Sequence, residues 1–236
     1  MKLAIMQPYF FPYAGYFSLI DQVDKFVFYD DVGFIKGGWI NRNRLLMAGE
    51  ARYFTVPLCG ASPNLKINQV KVQPREMWER KLLASIQQSY SKAPNFAMAF
   101  DCLREVLGAG EYEGIAQLAK RSIRLTAERI GLSASFVESS AVYGNQHLCS
   151  SARVIDICQK ECADVYINPL GGRGLYDNDD FLDVGILLKF NDAPLRFYKQ
   201  FSGEFVPGLS VLDMMMFNTF EECKFLICSD VNEGGV

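Results

Sequence analysis

The aspartates Asp30 and Asp31 are followed by Lys36, Trp39, Asn41, Arg42, Asn43 and Arg44. Paired carboxylates at the end of a strand suit a general base, an acceptor for sugar hydroxyls, or ligands for Mg²⁺. Cations and side-chain amides around a tryptophan suit a phosphorylated, hydroxyl-rich ligand. A charge run alone usually marks a solvated loop. Here Phe34, Ile35, Trp39, Ile40 and Leu45 are interleaved with it, which predicts an ordered, partly buried segment.

A second group runs from Gln7 through Pro8, Tyr9, Phe10, Phe11 and Pro12 to Tyr13. Its aromatics are core material or a stacking wall for a base or sugar. A helix starting after the prolines would offer free N–H groups to phosphate or carboxylate. A third group is the glycine-rich turn Asn168, Pro169, Leu170, Gly171, Gly172, Arg173, where the backbone can approach a ligand and Arg173 can clamp an anion. His147, the one histidine, lies in a loop and is a further candidate base. The candidate catalytic residues are therefore Asp30, Asp31 and His147. The candidate substrate-binding residues are Gln7, Tyr9, Tyr13, Lys36, Trp39, Asn41, Arg42, Asn43, Asn168, Gly171, Gly172 and Arg173.

The elements that must position these residues follow from pattern. Residues 2–6 form a short apolar strand, and Pro12 suits the first turn of a helix whose apolar residues recur through Val23. Residues 25–29 are a β-forming run, which completes a βαβ unit. Ligands of open α/β sheets bind beyond the carboxyl ends of the strands, so Gln7–Tyr13 and Asp30–Lys36 are expected side by side. Residues 33–44 read as a loop and 52–58 and 67–72 as strands. Helices are expected over 77–90, 95–107 and 114–130. Strands at 135–138 and 164–168 flank a helix over 152–162 capped by Ser150 and Ser151. A strand near 186–190 and a helix over 210–217 complete an α/β, Rossmann-like, mostly parallel sheet flanked by helices. The helical block, about residues 75–131, is packed on that sheet, and residues 1–236 are read as a single α/β domain.

The 236 residues are half apolar and carry a net charge of −3, which supports a packed core and removes the basic footprint of a duplex-binding protein. The seven cysteines are odd in number and form no C-x-x-C, as expected of reduced, buried thiols rather than disulfides. Cys158 and Cys162, one helical turn apart, are read as packing. With one histidine, the usual nitrogen and sulfur zinc sites are not expected. The uncharged stretch 3–20 is interrupted by Gln7, Pro8, Pro12 and Gly15 and is read as folded chain rather than signal or membrane span. A cytoplasmic location is the expectation. No G-x-S-x-G, Walker lysine motif or G-x-G-x-x-G is present.

Assembled, the chain resembles the WbqC-like family of bacterial proteins. The likeness rests on MQPYFFPYAGYFSLI at residues 6–20, DKFVFYDDVGFIKGGWINRNR at 24–44, TVPL at 55–58, YINPLGGRGLYD at 166–177 and FVPGLSVLDMMM at 205–216. Gly33 stands where members often have glutamine, and Arg80 and Lys81 stand near a position often held by histidine. The resemblance implies a context of O-antigen and polysaccharide synthesis. Within it, the expected activity is acyl or aminoacyl transfer to a nucleotide-linked amino sugar, with Asp30 or Asp31 as base. Nucleotidyl or glycosyl transfer with Mg²⁺ held by those aspartates, or non-catalytic binding of a sugar nucleotide, remain open at this point. The partner expected is a small-molecule nucleotide sugar, with an acyl donor such as a coenzyme A thioester. The sequence leaves the oligomeric state open.

Overall fold

A computed structural model describes residues 1–108, 112–192, 195–201 and 203–228. In chain order, β1 (Lys2–Met6) leads through α1 (Ala14–Asp21) to β2 (Lys25–Phe28). β3 (Arg42–Met47) and β4 (Glu50–Thr55) form an antiparallel hairpin, and β5 (Leu58–Cys59) pairs with β6 (Lys71–Val72). Three helices follow, α2 (Glu79–Tyr90), α3 (Phe96–Gly108) and α4 (Ile115–Ile130). Then come β7 (Ser135–Val137), α5 (Ser150–Lys160), β8 (Val165–Pro169), α6 (Asn178–Leu182) and β9 (Leu187–Asn191). Helices α7 (Val211–Phe217) and α8 (Phe220–Ile227) close the described chain.

The central sheet has the order β7-β2-β1-β8-β9 and every pairing in it is parallel. Strand direction therefore brings the carboxyl ends of β1, β2, β7, β8 and β9 to one edge. The order reverses between β1 and β8, the kind of switch point at which open α/β sheets bind ligands. Alternation along the strands divides the core between the two faces. Leu3, Ile5 and Val27 pack with Val154, Ile157 and Cys158 of α5 and with Phe181 of α6. Ala4, Phe26 and Phe28 join the larger cluster, which takes in α1, α8 and the helices α2, α3 and α4. The buried residues of the helical block are thus in one cluster with one face of the sheet.

Several elements depart from the sequence reading. Pro12 lies before the cap residue Tyr13 rather than inside α1. Its carbonyl accepts from Val211 N at 2.8 Å. The expected loop over 33–44 ends early, because Arg42–Met47 is a strand; its turn is Ala48–Gly49, both with positive φ (53° and 81°), the geometry of a tight hairpin turn. The expected strand over 67–72 is a 3₁₀ turn and a two-residue strand. Helix α5 begins at Ser150 with Cys149 in the cap position and no side-chain cap. It ends before Cys162, so Cys158 is core while Cys162 is exposed. Helices α6 and α8 were not foreseen.

The FVPGLSVLDMMM motif has a packing role. Asp213 is fully buried and accepts from Tyr90 (2.5 Å), Tyr198 (2.7 Å) and Gln200 (3.0 Å). Burial raises its pKa, and these three hydrogen bonds oppose the rise. Tyr90 in turn accepts from Leu46 N at 2.7 Å, which ties α7, α2 and β3 together.

Candidate functional site

At the end of β2, Asp30 and Asp31 are both buried and both paired. Asp30 accepts from Lys120 Nζ of α4 and from Ser139 Oγ, each at 2.6 Å. Asp31 takes both its oxygens to one Arg153 nitrogen at 2.6 Å and accepts a short bond from Ser140 Oγ. Burial alone would raise the pKa of Asp31; the bonds from Ser140 and Arg153 and the guanidinium charge outweigh it and hold the carboxyl below its ordinary value. Arg153 also donates to Asn145 Oδ1 at 3.0 Å and lies 4.8 Å from the Tyr29 ring centroid. These two pairs clamp the end of β2 to α4, to the turn after β7 and to α5.

The aromatic-proline segment lies beside this edge, as the strand order requires. Its interior residues are core: Phe10 and Phe11 are fully buried. Phe11 has a positive φ of 43°, and its carbonyl is held by Asn43 Nδ2 (2.8 Å) and Ser210 Oγ (2.7 Å). Phe10 N reaches the carbonyls of Trp39 (3.3 Å) and Ile40 (3.2 Å), so the later loop is tied to the earlier one. Gln7 accepts from Tyr16 OH at its backbone oxygen, 2.8 Å, and Tyr9 packs against Tyr16 with ring centroids 5.7 Å apart. The Tyr13 ring folds back over Gly15 at the start of α1, where the anion site was expected.

Of the cationic stretch, Asn41 and Asn43 serve the backbone. Asn41 Nδ2 donates to Val56 O at 2.9 Å, and Asn43 is buried. Lys36, Trp39 and Arg42 stand further out, on or beside the hairpin. His147 is exposed, near Asp156.

The glycine-rich turn opens on a broad concavity. A cleft of about 1000 Å³ alongside the edge strand β9 is bordered by Arg173, Tyr176, Asp177, Asp180, Lys189 and Phe190, among others. Asn168 is buried and accepts from Tyr166 OH at 3.1 Å. Its amide lies where a Cβ on Gly172 would stand, so any larger residue there would have to displace it. Arg173 lies 5.6 Å from the Phe190 ring centroid. Burial raises the pKa of Tyr176, which keeps its phenol a proton donor. Cations for an anionic group thus share the cleft with exposed carboxylates suited to hydroxyls.

The sequence reading missed Lys120, Ser139, Ser140 and Arg153, because their partners lie about a hundred residues away and no local pattern announces them. Arg153 did leave one trace: it occupies a buried position on the same face of α5 as Ile157, where a charge needs a partner.

The fold and this edge define an α/β, Rossmann-like protein with a polar carboxyl rim. The chain belongs to the WbqC-like protein family, which it matches over residues 7–225. It is similar to a Mycobacterium tuberculosis (strain ATCC 25618 / H37Rv) protein named "Uncharacterized protein Rv1507c". The two are 28% identical over 218 residues, covering 91% of this chain and 92% of that one. No solved structure matches the chain. Among the described residues, no helix is long and apolar enough to cross a membrane and no His, Cys, Asp and Glu cluster suited to a metal is found.

Proposed function

We propose that this protein is a transferase of bacterial surface-polysaccharide assembly that passes an acyl or aminoacyl group to a nucleotide-linked amino sugar. The observation that carries the reading is the cleft of about 1000 Å³ between the glycine-rich turn, α6 and the edge strand β9, large enough for such a ligand. Arg173 and Lys189 would meet its phosphates, and Asp177 and Asp180 its hydroxyls. In the transfer, the sugar amine forms a bond to the acyl carbonyl, the carbonyl's bond to the donor's leaving group breaks, and the amine gives up a proton. A carboxylate already held by a guanidinium is a weak base. Asp31 is therefore assigned to holding Arg153, and Asp30 to holding Lys120, with which it is ion-paired; the proton passes to the cleft carboxylates.

A thermal-shift screen against nucleotide amino sugars, coenzyme A thioesters and nucleoside triphosphates tests this, since ligands that bind only the folded state raise its apparent stability. The expected result is a shift with a nucleotide amino sugar, and an acylated product by mass spectrometry when a donor is added. Stabilisation and turnover by nucleoside triphosphates with Mg²⁺ alone would replace acyl transfer with nucleotidyl transfer. Binding without product from any donor would make the protein a carrier of sugar nucleotides.

A further inference from the structure

The two faces of the β3–β4 hairpin differ in kind. Asn43, Leu45 and Phe54 are buried. Arg44 pairs directly across from Tyr53, and Arg42 across from Thr55, so these four share the outer face. There Tyr53 is 50% exposed, and Trp39, from the loop just before, is 38% exposed. Their ring centroids lie 6.0 Å apart. Arg42 sits 4.3 Å from the Tyr53 centroid and Arg44 5.8 Å from that of Trp39.

The cations here lack counter-charges. Among the described residues, the hairpin's ion pairing is confined to Arg52 with Glu50 at its tip. Arg42 donates to the carbonyls of Gly37 and Gly38. Arg44 reaches Gly208 O at 3.4 Å and has a buried Nε with no partner. Lys36 is exposed in the same loop. Two arginines against two exposed rings, with Lys36 exposed in the preceding loop and no acidic partner for any of the three among the described residues, concentrate positive charge in a chain of net charge −3. Rings offer a stacking surface to any flat base, and guanidinium and ammonium groups bind phosphate.

We infer that the outer face of this hairpin is a nucleoside-phosphate site, separate from the cleft at β8 and β9. The base stacks on Tyr53 and Trp39, and the phosphates meet Arg44 and Lys36. The site stands whether or not the cleft performs transfer. A nucleotide sugar and the adenosine phosphate handle of a coenzyme A donor share this chemistry, and the probes below separate them.

The test titrates UDP, ADP and coenzyme A into the full chain by calorimetry, with tryptophan fluorescence in parallel. Trp39 reports because Trp78, the other tryptophan, is buried. At least one nucleotide is expected to bind and quench Trp39. Tyr53→Ala and Arg44→Gln should each weaken it about tenfold or more, while Arg52→Gln leaves it unchanged. Inorganic pyrophosphate should be weakened by Arg44→Gln and not by Tyr53→Ala. Should Arg44→Gln fail to fold by circular dichroism, Lys36→Gln replaces it. Preference for UDP identifies the nucleotide-sugar source and preference for coenzyme A the donor source; either supports the site. Absence of binding, or unchanged affinity in both variants, overturns it. A uridine oligonucleotide whose affinity climbs with length would also overturn it, in favour of single-stranded nucleic acid. A loss confined to Arg173→Ala would leave the cleft reading intact while ending this one.

Discussion

Asp30 and Asp31 are neighbours in the chain, yet each is claimed by a different cation from a different helix. Their chemical potential was legible from the sequence, and their partners were not, since ion pairs formed across 90 and 122 residues leave no local signature. Asp31→Asn leaves Arg153 buried without its counter-charge, which is expected to cost about 3–5 kcal/mol. The sign of the pH dependence follows from the depressed pKa. The carboxylate's contribution is complete above its unfolded value, near 4, and is lost as pH falls through the lower folded value. Urea unfolding of parent and variant at pH 7 and about pH 3 should show the stability gap narrowing in acid. A gap that stays constant with pH would detach the pKa shift from Arg153.

At the scale of elements, β1, β2, α4 and β8 were readable because apolar periodicity and turn residues agree in each. The hairpin was half missed. Arg42–Met47 opens with Arg, Asn and Arg and lacks β-branched residues, and its turn is Ala-Gly rather than the Asn-Gly that marks such turns. Packing of Leu45 and Phe54 against the core overrides weak propensity. The glycine-rich turn is closely approached by the Asn168 amide at Gly172, and the cleft beside it depends on β9 and α6, which lie later in the chain. Gly172→Ala should push the Asn168 amide aside and disturb its bond with Tyr166. The expected destabilisation is about 1–3 kcal/mol, read by chemical denaturation, with weaker nucleotide-sugar binding. An unchanged stability and affinity would show the turn to be more yielding than its geometry indicates.

For the molecule as a whole, strand order explains why residues near 7, 30, 139, 168 and 191 share one edge: parallel strands all point their carboxyl ends the same way. That convergence was foreseen for Gln7 and Asp30. The aromatic-proline segment, however, is largely consumed by the core, and Tyr13 covers the start of α1. The open space lies instead between the glycine-rich turn, α6 and the edge strand β9. Net charge keeps a consistent message at this scale, and no gel shift with duplex DNA is expected at physiological salt; a stable shifted complex would contradict that expectation. The most direct test of the central claim is calorimetric titration of a UDP-linked amino sugar into the parent and Arg173→Ala. The account predicts saturable binding by the parent, weakened in the variant by about 1.5–3 kcal/mol, the scale of a hydrogen bond to a charged group. Binding of equal strength in both proteins, or none in the parent, would contradict it.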